Sequence, residues 1–100
     1  MLMIVWEYMV RKGKVADFEK LYGENGAWME LFRKSPAYVS SVLVRDTKEG
    51  QRYLIADRWE TEQDFEAFKQ EHAGRYDELD ALGAKLHRAE HLIGRFEDVR

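Results

Sequence analysis

The sequence predicts an α+β fold, a ferredoxin-like βαββαβ sandwich built on one four-stranded antiparallel sheet. Three observations support this fold class. Four short runs rich in β-branched and aromatic residues alternate with two longer segments of helical periodicity. The second and third runs are joined by a short loop that contains glycine, which is typical of a hairpin. A chain of 100 residues that is 45% apolar usually forms one domain, so residues 1–100 are predicted to fold as a single domain.

The first strand and the helical segment after it follow from composition and spacing. Leu2–Arg11 is rich in β-branched and aromatic residues and is predicted to be a strand. Lys14–Lys34 has apolar residues at three- and four-residue spacing, which predicts a helix. Gly23 and Gly26 lie in the middle of that segment. Because glycine in a helix interior costs about 1 kcal/mol, we expect the helix to break there.

The remaining elements follow the same rules. The hairpin strands are predicted over Ala37–Asp46 and Gln51–Trp59. Thr61 is the predicted N-cap of the second helical segment, because acidic residues follow it in the first turn. Gly74 is expected to interrupt that segment. The last strand is predicted over His91–Val99.

Both faces of the predicted sheet are apolar. Alternation in the first strand puts Leu2, Ile4, Trp6, Tyr8 and Val10 on one face and Met3, Val5 and Met9 on the other. Alternation in the second strand groups Tyr38 with Val42 and Val44, opposite Val39 and Leu43. Two helical segments cover only one face of such a sheet, and soluble monomers avoid large exposed apolar patches. The sequence therefore predicts a homodimer that forms through the uncovered sheet faces.

Charge and composition exclude several classes of protein. The 16 basic and 19 acidic residues are interspersed and give a net charge of −3, whereas nucleic-acid-binding domains usually carry a basic stripe. No apolar run approaches the ~20 residues that span a bilayer. We therefore expect neither a nucleic-acid partner nor a membrane partner.

Cysteine content and the N-terminal residues predict the compartment. The chain has no cysteine, which excludes disulfides and thiolate metal sites. The stretch Met1–Val10 has no basic start and no small-residue cleavage site after it, so no secretory signal peptide is predicted. The expected location is the cytoplasm.

Three stretches of the chain resemble the antibiotic biosynthesis monooxygenase domain family. They read VWEYMVRKG at 5–13, ENGAWMELFRKSPAY at 24–38, and RYLIADRWE at 52–60 followed by FEAF at 65–68. The strand-ending Trp59 before an acidic helix start is the most characteristic part. The resemblance covers nearly the whole chain and implies a dimeric α+β barrel. Members include cofactor-independent oxygenases and haem-degrading enzymes, so the resemblance implies a fold and leaves the activity open.

Cofactor-independent oxygenation needs a substrate that forms a stabilised carbanion or phenolate, which itself reduces dioxygen. The protein then supplies a dry pocket, a base and orientation, and no cofactor is expected. The candidate walls of a substrate-binding pocket are Trp6, Trp28, Trp59, Phe65 and Phe68. The alternative is that these rings belong to the hydrophobic core.

Two candidate catalytic residues lie further along the second helical segment. His72 is four residues after Phe68, on the same predicted helix face, and an imidazole with a pKa near ~6.5 can act as a base. The alternative is that His72 caps the end of the helix. Tyr76 is a candidate hydrogen-bond partner of a phenolic or carbonyl substrate, or else a structural tyrosine.

Haem and metal sites fit the sequence poorly. The haem-degrading branch carries a helical tryptophan and an axial histidine at positions that correspond to Phe68 and Glu78 here. His87 and His91 have the spacing of two metal ligands on a helix, but a strand is predicted there. No metal site is therefore predicted.

Charged residues also lie within the predicted strands, where a charge is costly unless it is paired. Four of them are Glu7, Asp57, Arg58 and Arg95. They form ion pairs at the barrel rim or dimer interface, or they anchor a polar substrate.

The sequence supports two functional hypotheses. The first is a small oxygenase for an aromatic or quinone-like substrate, and the second is a non-catalytic module of the same fold that binds a small ligand.

Overall fold

The computed structural model describes residues 1–99, and the elements below lie within them. In chain order they are β1 (Leu2–Val10), α1 (Val15–Tyr22), α2 (Ala27–Phe32), β2 (Tyr38–Arg45), β3 (Arg52–Trp59), α3 (Glu62–Glu71), α4 (Ala73–Ala84) and β4 (His87–Glu97). The four strands form one sheet in the spatial order β2-β3-β1-β4, and each neighbouring pair is antiparallel. The predicted ferredoxin-like α+β fold is confirmed, with a pair of helices in each crossover.

The predicted break between α1 and α2 is confirmed, and its cause is a close approach of the backbone. A Cβ atom on Gly26 would collide with the carbonyl oxygens of Lys20 and Leu21. A Cβ atom on Gly23 would collide with the carbonyl oxygen of Glu19. Glycine is therefore required at both positions for the chain to turn between the two helices.

The second crossover differs in detail from the prediction. Thr61 is the N-cap of α3 as expected, and its Oγ1 accepts a hydrogen bond from the Asp64 N–H at 3.0 Å. The helix breaks at His72 (φ −113°, ψ 26°) and not at Gly74, which lies inside α4. β4 begins at His87, four residues earlier than predicted, because His87 already pairs with Val10 of β1. No helix within residues 1–99 is long and apolar enough to cross a membrane.

A β-bulge in β2 corrects the predicted faces of that strand. Tyr38 pairs with Trp59, but the next paired residue, Ser40, faces Arg58, so the register shifts by one residue. The shift puts Tyr38 on the helix-covered face and Val42 and Val44 on the open face. The predicted grouping of Tyr38 with those two valines is therefore wrong.

The two faces of the sheet have different surroundings. Alternate residues of β1 and β3 are buried under the helices, and Trp59, Ile4 and Val10 are among the most fully enclosed. The opposite face carries apolar residues that remain in contact with solvent in the single chain. Val42 is 56% exposed and Phe96 is 44% exposed. The sequence correctly predicts apolar residues on both faces.

Candidate functional site

A cavity of about 100 Å³ lies between the sheet and the helices, and six elements contribute to its lining. Most of its wall is aromatic. The lining residues are Trp6, Tyr8, Tyr22, Trp28, Phe32, Ile55, Asp57, Tyr76, Asp80 and Glu90. Engineered apolar cavities of roughly 150 Å³ admit benzene, so this smaller space has room for one aromatic ring at most.

Contacts between the rings hold the cavity wall in place. Trp28 meets Tyr76 edge to face, with ring centroids 4.9 Å apart, and this contact joins α2 to α4. The ring centroid of Tyr22 on α1 lies 5.0 Å from that of Tyr8 on β1. Aromatic pairs of this kind contribute about 0.5–1.5 kcal/mol each beyond the area they bury. The wall is therefore built from packed rings on different elements.

Trp28 brings a polar atom to this wall. Its Nε1 is buried and makes no hydrogen bond of acceptable geometry within residues 1–99, although the Tyr22 hydroxyl is close enough to be influenced by it. A buried donor without an acceptor is unfavourable by about 1–3 kcal/mol. The indole N–H of Trp28 therefore lies near the Tyr22 hydroxyl, inside the wall and out of reach of a water-sized molecule.

Asp57 is the buried acid of the cavity. It lies on the helix-covered face of β3 and is only 6% exposed. The Ser41 hydroxyl donates to its Oδ1 at 2.5 Å, and the Tyr38 hydroxyl donates to Ser41 Oγ at 2.7 Å. Burial raises the pKa of Asp57 to about 6 despite the hydrogen bond from Ser41, which favours the charged form. A carboxyl with this pKa exchanges a proton readily near neutral pH.

Other titratable groups make the cavity acidic. Burial raises the pKa of Asp80, and the nearby charge of Glu90 raises it further. Burial also raises the pKa values of Tyr8, Tyr22 and Tyr76, so these phenols keep their protons. No basic side chain lines this cavity within residues 1–99. The cavity therefore favours a ligand that donates hydrogen bonds over one that enters as an anion.

Comparison with known proteins identifies the family. The family profile of the antibiotic biosynthesis monooxygenases matches residues 1–76, which is more than half of the chain. This chain belongs to the antibiotic biosynthesis monooxygenase family. The match includes every element from β1 to α3, and it includes Asp57 and all the aromatic residues of the cavity.

Solved structures share the fold of this chain. SnoaB, a cofactor-independent oxygenase from Streptomyces nogalater, superposes with a TM-score of 0.80 at 19% identity, over 99% of this chain and 93% of SnoaB. A protein of the same family name from Nitrosomonas europaea gives a TM-score of 0.77 at 14% identity, over 100% of both chains. At these identities the likeness shows a shared fold. No curated protein matches the sequence of this family member.

Three of the predicted site residues line the cavity of this monooxygenase-family chain. Trp6 reaches it from β1, Trp28 from α2 and Tyr76 from α4. Trp6 is partly buried and packs against the core, whereas Trp28 is almost fully enclosed. The structure thus brings together residues that are far apart in the sequence.

The other four predicted site residues form a separate cluster beside the cavity. Trp59 is fully buried, and its ring centroid lies 5.2 Å from that of Phe65 and 4.9 Å from that of Phe68. His72 lies at the junction of α3 and α4, and its ring centroid is 4.9 Å from that of Phe68. None of these four residues lines the cavity.

The charged strand residues differ in their partners. Glu7 accepts a hydrogen bond from Arg52 at 2.6 Å, Arg58 pairs with Asp98, and Arg95 pairs with Glu62 and Glu66. Asp57 forms no ion pair within residues 1–99. Of the four charged strand residues named from the sequence, Asp57 alone lines the cavity.

Sequence reasoning did not single out Asp57 as a catalytic residue, nor Tyr8, Tyr22, Asp80 or Glu90 as lining residues. A signal for Asp57 is present in the strand pattern, because two-residue spacing puts it on the same face as Tyr53, Ile55 and Trp59. An acidic residue among buried apolar ones is unusual. The other residues give no such signal, because their meeting depends on how the helices cross the sheet.

The histidine pair does not have the geometry of a metal site on a helix. His87 and His91 both belong to β4, where they pair with Val10 and Glu7. Within residues 1–99, no group of three or more histidine, aspartate or glutamate side chains is arranged to hold a metal ion.

Proposed function

We propose that this protein is a cofactor-independent oxygenase that acts on an electron-rich aromatic compound with a single ring, such as a hydroquinone. One observation carries the proposal: the cavity has aromatic walls and a buried carboxyl, Asp57. Family membership and the shared fold with SnoaB, itself a cofactor-independent oxygenase, support it. The cavity volume of about 100 Å³ favours one ring over several.

The reaction needs groups that the cavity contains. A base removes the hydroxyl proton of the hydroquinone, and the electron pair left on oxygen makes a ring carbon nucleophilic. That carbon bonds to dioxygen, which is reduced to a hydroperoxide, and loss of water leaves a hydroxyquinone. One hydroquinone and one dioxygen thus give one hydroxyquinone and one water. Trp6, Trp28 and Tyr76 would hold the ring and exclude water, which keeps the reactive intermediate from side reactions.

We also propose that two copies of the chain pair through their open sheet faces. The apolar residues there, including Val42 and Phe96, would be removed from water by such pairing. The cavity lies on the opposite, helix-covered side of the sheet. Each copy would therefore keep its own cavity in the dimer.

Oxygen uptake tests the proposed activity. We expect the wild type to consume one dioxygen per methylhydroquinone and to be inactive on the three-ring compound anthrone, which exceeds the cavity. Trp6→Ala removes part of the wall and should lower kcat/KM about tenfold or more, whereas the exposed Leu82→Ala should not change it.

An absence of catalysed oxygen uptake with single-ring hydroquinones contradicts the oxygenase. If methylhydroquinone then still binds, and Trp6→Ala weakens that binding, the non-catalytic ligand-binding module is the better description.

A further inference from the structure

A chain of three hydrogen-bonding groups leads from the cavity to the outside of the protein. Asp57 lines the cavity, and Ser41 and Tyr38 follow it across the neighbouring strand. Ser41 and Tyr38 also line a wide, open groove along β2, which is an edge strand of the sheet. These three groups therefore connect the cavity with the open groove along β2.

We propose that Asp57 is the catalytic base that takes the proton from a phenolic hydroxyl bound in the cavity, and that Ser41 and Tyr38 position it and pass the proton to the groove. This inference rests on the proposed function and names a residue and a route for it. The substrate class is a neutral phenol that donates its hydroxyl hydrogen to a carboxylate.

The two oxygens of Asp57 have different tasks in this proposal. Oδ1 accepts the hydrogen bond from Ser41, and Oδ2 takes part in none of the side-chain hydrogen bonds within residues 1–99. The phenolic O–H bond breaks, a new O–H bond forms at Oδ2, and the electron pair stays on the phenolate oxygen. The carboxyl then turns so that its O–H donates to Ser41 Oγ, and the hydroxyls of Ser41 and Tyr38, which donate toward Asp57 in the structure, turn so that each donates toward the groove. Each hydroxyl oxygen receives one proton and releases another, and the last proton leaves from Tyr38 into the groove. Asp57 returns to the carboxylate for the next turnover.

The surroundings of Asp57 favour this role over a structural one. The titratable groups around it are Tyr8 on β1, Tyr22 on α1, Tyr38 on β2, Tyr76 and Asp80 on α4, and Glu90 on β4. None of these side chains is a cation, so nothing among them neutralises a carboxylate at position 57. Asp80 and Glu90 are exposed residues of the same cavity, whereas Asp57 is enclosed.

The charge of the cavity explains why a base is needed inside it. A substrate that entered already as a phenolate would meet the negative charges of Asp80 and Glu90. A neutral phenol avoids this repulsion and is ionised only after it has bound. The pKa of Asp57, raised by burial to about 6, lets it accept that proton at neutral pH.

Binding of 4-fluorophenol tests the base without requiring oxygen chemistry, because its fluorine chemical shift reports both binding and ionisation. We expect wild-type affinity to rise as Asp57 deprotonates, over about two pH units on either side of its pKa of about 6. Asp57→Asn should bind about tenfold more weakly or worse and show no such pH dependence. The exposed Asp17→Asn serves as the matched control and should behave as the wild type.

The relay is tested on the adjacent serines of β2. Ser41→Ala removes the hydrogen bond that favours the charged form of Asp57 and should move the acid limb of the pH profile of kcat/KM upward by about one pH unit. Ser40→Ala is the matched control. Ser40 is not part of the hydrogen-bonded series Asp57, Ser41 and Tyr38, so the pH profile of this variant should be unchanged. A purely structural role of Ser41 would lower activity without moving the limb.

The outcomes separate this inference from the proposed function. If Asp57→Asn oxidises hydroquinone at the wild-type rate, Asp57 is not the base, although the oxygenase stands. If 4-fluorophenol binds with the expected dependence on Asp57 but no hydroquinone is oxidised, the assignment of Asp57 as the acceptor stands and the oxygenase fails. Equal binding by the wild type and Asp57→Asn, or no binding by either, overturns the inference. If Ser41→Ala keeps the wild-type limb, the route through Ser41 and Tyr38 is wrong.

Discussion

Burial of Asp57 affects the stability of the fold as well as its chemistry. The side chain is removed from water on the apolar face of β3, and the hydrogen bond from Ser41 offsets only part of the lost hydration. An acid whose pKa is higher in the folded state than in the unfolded chain stabilises the fold while it is protonated. That contribution is present below the ordinary pKa of 3.8 and is lost as the pH rises through about 6.

Asp57→Asn should therefore stabilise the protein increasingly as the pH rises. The amide stays neutral, so the free energy of unfolding of the variant relative to the wild type should rise by about 3 kcal/mol between pH values below 3.8 and pH values above 6. Urea unfolding at both pH values and at one fixed protein concentration measures this difference. The prediction fails if the difference between the two proteins is independent of pH.

Single residues show how far the sequence alone could locate the site. Trp6, Trp28 and Tyr76 could be named because large aromatic residues are few and stand out in any segment. Asp57 could be recognised only as a charge in a strand, since its contact with Ser41 depends on the register of β2. Whether an aromatic ring faces a cavity or the core depends on where the helices lie. The sequence could therefore not distinguish Trp28, which lines the cavity, from Trp59, which is buried in the core.

The elements themselves were largely predictable, and the exceptions have local causes. Strand composition, the Thr61 cap and the glycines before α2 each indicate their element directly. The bulge in β2 was not predictable, because it has no marker such as glycine or proline within the strand and arises from pairing with β3. It changes the side of the sheet on which the following residues lie, and it brings Ser41 next to Asp57.

The two glycines of α4 should respond in opposite ways to alanine. A Cβ atom on Gly83 would collide with the hydroxyl of the buried Tyr22, so Gly83→Ala should destabilise the protein by about 1–3 kcal/mol. A Cβ atom on Gly74 meets nothing within contact distance, so Gly74→Ala should stabilise it by up to about 1 kcal/mol. Urea unfolding measures both effects, and a loss of stability in both variants, or in neither, contradicts the prediction.

At the scale of the whole molecule, the open sheet face exposes apolar residues such as Val42 and Phe96, which no helix within residues 1–99 covers. An apolar sheet face in contact with water is unfavourable in proportion to its area, and soluble proteins usually cover such a face. The apolar residues on both faces could be read from the sequence, and the prediction that two copies pair rests on them. The register of such a pairing would depend on contacts that a single chain does not contain.

A charge on the open face should disrupt the proposed pairing of two copies. Val42→Lys places an ammonium group at a position that is 56% exposed in the single chain, so it should weaken the dimer and leave the monomer folded. Light scattering over a range of concentrations should show twice the chain mass for the wild type and a shift toward the single-chain mass for the variant. Leu82→Lys, at a similarly exposed position on α4, is the control and should remain dimeric. A wild type that stays monomeric at all concentrations contradicts the pairing.

The three tryptophans differ in their surroundings, and this gives the protein an optical signal of its own. Trp59 is sealed in the core, whereas Trp6 and Trp28 line the cavity. A molecule that enters the cavity changes the environment of those two indoles and leaves that of Trp59 nearly constant. Intrinsic fluorescence would therefore report occupancy of the cavity without any label, with Trp59 as the internal reference.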